Sequence, residues 1–196
     1  MNCQEILSST GKTYDLVYRG QSVPLMELRH RFFTSTNFPK LIGIHPHTSK
    51  HQLYLAKTGS NVPRKLNANR MRGIRNEKVA IDLLQKQLGQ RVFQLTGWHR
   101  HPNFKTFLAS PDGVCADGAL VEVKCPKNKN HEIPPHHEAQ MRWDMWCLNA
   151  RKMYYVQMVK GDIHVDILYR DDKLVLDNLS LCLSFIDIVK SVNEQC

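Results

Sequence analysis

Three ionisable side chains, Asp112, Glu122 and Lys124, lie within one otherwise apolar stretch at residues 110–125, Ser-Pro-Asp-Gly-Val-Cys-Ala-Asp-Gly-Ala-Leu-Val-Glu-Val-Lys-Cys. Clustered carboxylates are hard oxygen donors suited to magnesium or manganese, and a nearby lysine can orient or deprotonate an attacking water. That set suits phosphodiester hydrolysis. Residues 114–116 and 120–125 read as strands, entered through the Pro111-Asp112-Gly113 turn and joined through Asp117-Gly118, a two-residue hairpin signal. Side chains alternate along a strand, so Leu120, Glu122 and Lys124 share one face while Val121, Val123 and Cys125 take the other. Asp112, at the mouth of the first strand, leans toward the Glu122/Lys124 face. The plain alternative is a turn cap beside a solvated Glu–Lys pair on an edge strand; apolar neighbours on both sides weigh against it.

Other elements must complete such a site. Residues 69–88 predict a helix with an apolar stripe at Ile74, Ile81, Leu84 and Leu88, and Glu77 falls on the same stripe. An inward carboxylate needs a cation or donors, so Glu77 implies either a metal site or a structural salt bridge. Residues 136–150 predict a helix after Pro134-Pro135, apolar almost all round, packed over the sheet with Gln140 in its first turns. Gln140 reads as a functional group or as a core glutamine bonded to backbone. Residues 91–101 and 105–109 read as the first two strands of the core sheet, 153–159 and 163–169 as a strand pair, and 173–192 as a closing amphipathic helix. Upstream, residues 1–22 read as peripheral with a short strand near 14–18, and 24–33 as helical. Thr34-Ser35-Thr36 reads as a hydroxyl cap on a short helix through Ile42 and Gly43, and 48–57 as another helix.

Lys and Arg number 27 against 18 Asp and Glu, a formal net charge of +9. A polyanionic partner is the simplest inference, because basic surfaces draw in phosphate backbones by releasing counterions. The basic excess is local: Arg64, Lys65, Arg70, Arg72, Arg75 and Lys78 face a single acid, Glu77. With 42% hydrophobic and 23% charged residues, the 196-residue chain suits one globular domain. No run approaches the ~18 apolar residues of a membrane span and residues 1–10 lack a signal-peptide pattern, so an intracellular site of action is expected. The six cysteines show no zinc spacing and read as reduced, mostly core thiols; the His45/His47, His99/His101 and His136/His137 pairs lack cysteine partners for a soft metal.

Ser110-Pro111-Asp112-Gly113 followed by Glu122-Val123-Lys124-Cys125-Pro126 resembles the active-site core of the PD-(D/E)xK nucleases, specifically the phage lambda exonuclease (YqaJ-like) family. Arg72-Gly73-Ile74-Arg75-Asn76-Glu77 resembles that family's helix glutamate motif, and Glu138-Ala139-Gln140-Met141 its helix glutamine. Thr34-Ser35-Thr36 stands where the family has Thr-Ala-Ser, preceded at matching spacing by Arg29, with Arg31 as a competitor for the same role. The resemblance runs from about residue 25 to 169 and implies a mixed α/β, restriction-endonuclease-like fold, with a catalytic core at about 66–169.

It also implies a metal-dependent deoxyribonuclease, most simply a 5′ to 3′ exonuclease releasing mononucleotides from duplex ends in recombination or replication. Asp112, Glu122 and the Val123 carbonyl would hold one Mg²⁺, replaceable by Mn²⁺, and Glu77 a second. Lys124 would position or deprotonate the water, Gln140 would help orient it, and Arg29 would contact the 5′ phosphate. Arg31, Arg72, Arg75 and Ser110 are further candidates for DNA contact. The family implies a ring-shaped homotrimer and a single-strand annealing partner. Rival readings are an endonuclease or RNA-cleaving relative, and a DNA-binding module without catalysis.

Overall fold

The computed structural model describes residues 16–18, 31–59, 68–95 and 97–194. In chain order they form β1 (Leu16–Tyr18), β2 (Phe33–Thr34), α1 (Phe38–Leu41), α2 (Lys50–Lys57), α3 (Ala68–Leu88), β3 (Val92–Gln94), β4 (Trp98–Arg100) and β5 (Phe107–Ala109). Then follow β6 (Gly113–Cys115), β7 (Leu120–Lys124), α4 (Pro135–Leu148), β8 (Lys152–Val159), β9 (Asp162–Tyr169), α5 (Lys173–Asp177) and α6 (Leu179–Asn193). Among the described residues, no helix is long and apolar enough to cross a membrane.

Strand β8 carries Met-Tyr-Tyr-Val-Gln-Met, six consecutive buried residues, as expected of a strand covered on both faces. It lies inside a five-stranded sheet of order β3-β6-β7-β8-β9. β7 and β8 run parallel, whereas the neighbouring pairs are antiparallel. A parallel pair needs a long crossover, and α4 with the loop before it supplies one. β8 and β9 are joined at Lys160-Gly161, both with positive φ (53° and 99°), which matches the right-handed twist of a tight hairpin.

Helices cover the two faces. On one, Ala80, Ile81 and Leu84 of α3 pack on Val121, Val123 and Val156. On the other, Met141, Trp143 and Met145 of α4 pack with Leu120, Met153 and Tyr155. The division of β7 into Leu120/Glu122/Lys124 and Val121/Val123 faces follows from its period of two, and each apolar half meets a different helix. The mixed α/β architecture expected from the sequence, a central mixed sheet flanked by helices, is the one found.

Several element assignments need correction. Residues 91–101 do not form one core strand: Gly97, with φ 108°, lies between β3, which joins the five-stranded sheet, and β4, which does not. Residues 105–109 likewise belong elsewhere, since β5 pairs with β4 and β2 in a second sheet of order β1-β4-β5-β2. Phe33 was expected at a helix end but lies in β2, parallel to β5; its ring is buried against Phe107, Trp143 and Phe185, and its N–H donates to Thr106 O at 2.8 Å. No hydroxyl caps α1: Asn37 Oδ1 instead accepts Thr34 N–H (3.0 Å) and the Thr34 hydroxyl (3.1 Å), tying the turn back on itself. The closing helix breaks at Asn178 into α5 and α6, where Asn178 Nδ2 donates to Leu174 O at 2.9 Å.

Candidate active site at the mouth of the β6–β7 hairpin

The hairpin register sets Gly113 opposite Val121. One step toward its open end, Asp112 comes beside Glu122 on the same face. Asp112 N–H donates to Val121 O at 2.9 Å, and its carboxylate Oδ2 accepts Val123 N–H at 2.7 Å. A strand residue's N–H and C=O point to the same side, so the Val123 carbonyl is directed toward Asp112 as well. Gly113 sits in a crowded place: a Cβ there would be 3.1 Å from Phe93 O, tighter than an ordinary contact, and 3.5 Å from Val121 Cβ.

Glu122 is 2% exposed. Its Oε1 pairs with Lys124 Nζ and accepts Gln140 Nε2 at 2.7 Å, while Oε2 is buried without a partner. Gln140 reaches it from the second turn of α4, so the helix glutamine serves the acid rather than the backbone. Glu77, half-buried on α3, arrives round the end of the sheet; its Oε1 accepts Gln94 Nε2 from β3 at 2.8 Å. No salt bridge of Glu77 is found among the described residues, and its charge acts on Asp112 and Glu122 from a distance.

These acids disturb one another. Burial pushes the Asp112 pKa well above the usual carboxylate range, and the Glu122 and Glu77 charges push it further. Burial also raises Glu77, with Glu122 adding to it against the Gln94 hydrogen bond. At Lys124, burial disfavours the ammonium, but the Glu122 and Asp112 carboxylates outweigh it and hold the lysine protonated. Three acids thus share one ammonium, and a buried Glu122 oxygen has no partner. This donor set fits a divalent cation. Among the described residues no three His, Cys, Asp or Glu side chains form a ready ligand cluster.

The other expected site residues are distributed unevenly. Ser110 stands at the hairpin mouth, its N–H donating to Asp144 Oδ1 at 3.0 Å. Arg72 and Arg75 lie in the first half of α3. Arg29 falls outside the described residues. Arg31 is not brought to the acids: it lines a notch with Lys57, Phe185 and Lys190, beside α6. The loop before α4 is pinned to the sheet by Gln157, which bonds Asn130 N–H (2.8 Å) and Asn130 O (3.2 Å).

Sequence reasoning missed two features. Asp144, an acid inside the apolar α4, is fully buried; burial and the Glu122 charge hold its carboxyl well above the usual range. An acid set directly between Trp143 and Met145, in the apolar half of the helix, was the available signal. The second is that His45 and His47 meet His136 and His137: ring centroids are 6.2 Å apart for His45–His47, 5.4 Å for His45–His136 and 4.2 Å for His136–His137. His137 Nδ1 bonds the Tyr155 hydroxyl at 2.8 Å, and burial, with the Lys124 charge, pushes its imidazole down to about 3. His101 has a structural role, its Nδ1 accepting Asn103 N–H and its ring packing 4.4 Å from Trp146. Cys115, Cys147 and Cys182 are buried free thiols and Cys125 is partly exposed; Cys3 and Cys196 lie outside the described residues.

A turn acid, a Glu-x-Lys strand and helices on both faces of a mixed sheet define the PD-(D/E)xK nuclease fold. The chain belongs to the YqaJ-like viral recombinase domain family, whose sequence pattern matches residues 26–165. The fold is similar to that of LHK-Exo, an alkaline exonuclease from Laribacter hongkongensis, at 22% identity and a TM-score of 0.72 over 87% of this chain and 93% of that one. The crystal structure of LHK-Exo in complex with dAMP matches over the same shares, with 21% identity and a TM-score of 0.72. A phage-related exonuclease from Haemophilus somnus 129PT shares 13% identity, with a TM-score of 0.59 over 87% of this chain and 97% of that one. No curated protein sequence matches the chain.

Proposed function

We propose that this chain is a metal-dependent deoxyribonuclease that degrades duplex DNA from a free 5′ end to mononucleotides, in recombination or replication. The observation that carries the reading is the convergence of Asp112, Lys124 and Gln140 on Glu122, with Glu77 close enough to act on the charge of Asp112. Family membership supports it, as does a structural relative seen with dAMP, a nucleoside monophosphate of the kind such digestion releases.

Asp112, Glu122 and the Val123 carbonyl would hold one Mg²⁺, or Mn²⁺ in its place, and Glu77 a second ion or its waters. Bound there, the cation supplies charge stabilisation at the scissile phosphate. Lys124, kept protonated by two acids, donates: it orients the attacking water and adds positive charge beside the phosphate. Gln140, already directed at Glu122, fixes that carboxylate and lines the water's position. The 5′ phosphate falls to Arg29, with Ser110, Arg72 and Arg75 along the DNA path. A homotrimer around the duplex and a single-strand annealing partner, acting inside the cell, complete the proposal.

End-labelled linear duplexes bearing 5′ phosphate or hydroxyl, circular duplex and RNA, incubated with Mg²⁺ or a chelator, test this. Mononucleotide release from linear duplex alone, abolished by the chelator, is expected. Nicking of circles would indicate an endonuclease, RNA loss a ribonuclease, and binding without any cleavage a module that has lost catalysis.

A further inference from the structure

Helix α4 carries one acid among its buried residues, Asp144, that the chemistry above does not use. Its position in the hydrogen-bond pattern is unusual. Ala109 ends β5, Pro111 has no N–H to give, and the next donor, Asp112 N–H, is taken by Val121 O. Ser110 N–H is therefore the only backbone donor between β5 and the acid of the turn, and Asp144 Oδ1 accepts it at 3.0 Å. Four residues earlier on the same helix face, Gln140 Nε2 holds Glu122 Oε1 at 2.7 Å. Trp143 Nε1 donates to Leu108 O at 3.0 Å, steadying the strand that leads into the turn. One helix thus grips both segments that bear the acids.

Asp144 is a poor choice for stability alone. Its Oδ2 is buried with only the Ser35 hydroxyl beside it, and burial still holds the carboxyl well above the usual range. A carboxyl buried among apolar residues is costly even with two such donors, and an apolar side chain would avoid that cost.

We infer that Asp144 is a positioning residue: by holding Ser110 N–H one helical turn from Gln140, it sets where Asp112 stands relative to Glu122, and with it the site's affinity for Mg²⁺. The inference rests on the metal-dependent reading above. Residues that hold a metal's ligands typically change its affinity 10–100-fold when lost. Asp144→Asn keeps an acceptor oxygen at the same reach; Asp144→Ala removes it. The alanine variant is expected to raise the Mg²⁺ concentration for half-maximal cleavage about tenfold, and to weaken calorimetric Mg²⁺ binding without DNA by a similar factor. KM for DNA should stay unchanged, and asparagine should restore both Mg²⁺ constants. Should the alanine variant not fold, Asp144→Ser, whose shorter hydroxyl falls short of the Ser110 amide, replaces it. Unchanged Mg²⁺ constants in the alanine or serine variant overturn the inference, as does an asparagine variant as weak as alanine. A parent protein that neither binds Mg²⁺ nor cleaves overturns the nuclease reading and this inference together; a parent that does both isolates the role of Asp144.

Discussion

Replacing Lys124 by methionine keeps most of the aliphatic stem and removes the ammonium. In the parent that ammonium is paired with Glu122, which is 2% exposed, while the lysine side chain itself is 27% exposed. Removing one partner of a buried pair costs about 3–5 kcal/mol, and the partial exposure of Lys124 places this case near the lower bound, about 3 kcal/mol. The loss must depend on pH. Protonating one of the site's acids relieves the uncompensated charge, at a cost that falls by about 1.4 kcal/mol per unit of pH decrease. Asp112, already pushed up by burial and by Glu122, is the readiest to take that proton. Chemical denaturation in chelator should therefore show Lys124→Met less stable by about 3 kcal/mol at pH 8, shrinking to under about 1 kcal/mol near pH 5.5. Millimolar Mg²⁺ should recover more stability in the variant than in the parent, because it supplies the missing positive charge. Cleavage should fall by about 10²–10³-fold, the usual loss when one positioned donor beside the developing charge is removed, while DNA binding persists. Equal stability at pH 8, or a deficit that does not change with pH, would refute the electrostatic account. A fully active variant would remove Lys124 from the site.

Gly113→Ala puts a Cβ 3.1 Å from the Phe93 carbonyl, a backbone atom of β3 that must then shift by a few tenths of an ångström. Denaturation should report a loss of about 1 kcal/mol or more, and a neutral result would mean β3 yields freely. His99 is buried in β4 with its imidazole pushed down to about 4 by burial, so below pH 6.5 the unfolded chain binds the proton that the fold refuses. Its contribution is present above pH 6.5 and lost as pH falls toward 4, with a slope of up to about 1.4 kcal/mol per pH unit. His99→Gln should flatten the acid limb of the stability curve by that slope; parallel curves would contradict it. Arg29→Glu should selectively remove preference for 5′-phosphorylated ends in competition digests, and equal loss on hydroxyl ends would count against its role.

The hairpin was legible because its determinants are local. A two-residue turn and a side-chain period of two put Glu122 and Lys124 on one face whatever surrounds them, and the register carries Asp112 beside them. The α3 stripe was equally local, and it placed Glu77 on the sheet-facing side. Less legible was the division of residues 91–109 between two sheets. A run of strand-forming residues states that it is extended, not which partner it will pair with, and Gly97 with its positive φ gave only a point of breakage. The two-residue β2 was hidden for the same reason, since its pairing with β5 is the whole evidence that it is a strand.

By itself the sequence determined the chemistry on offer: two acids and a lysine on a hairpin mouth, an inward acid on one helix, a glutamine on another, and a basic surplus to draw in phosphate. Tertiary structure decided what those groups do to one another. Contacts such as Gln140 to Glu122, Asp144 to Ser110 and His45 to His136 join residues 18, 34 and 91 positions apart. Their energies arise only when packing removes water from both partners, so no local pattern encodes them. The same holds for the raised Asp112 and the protonated Lys124, whose states are set by burial and by charges the chain brings together only on folding.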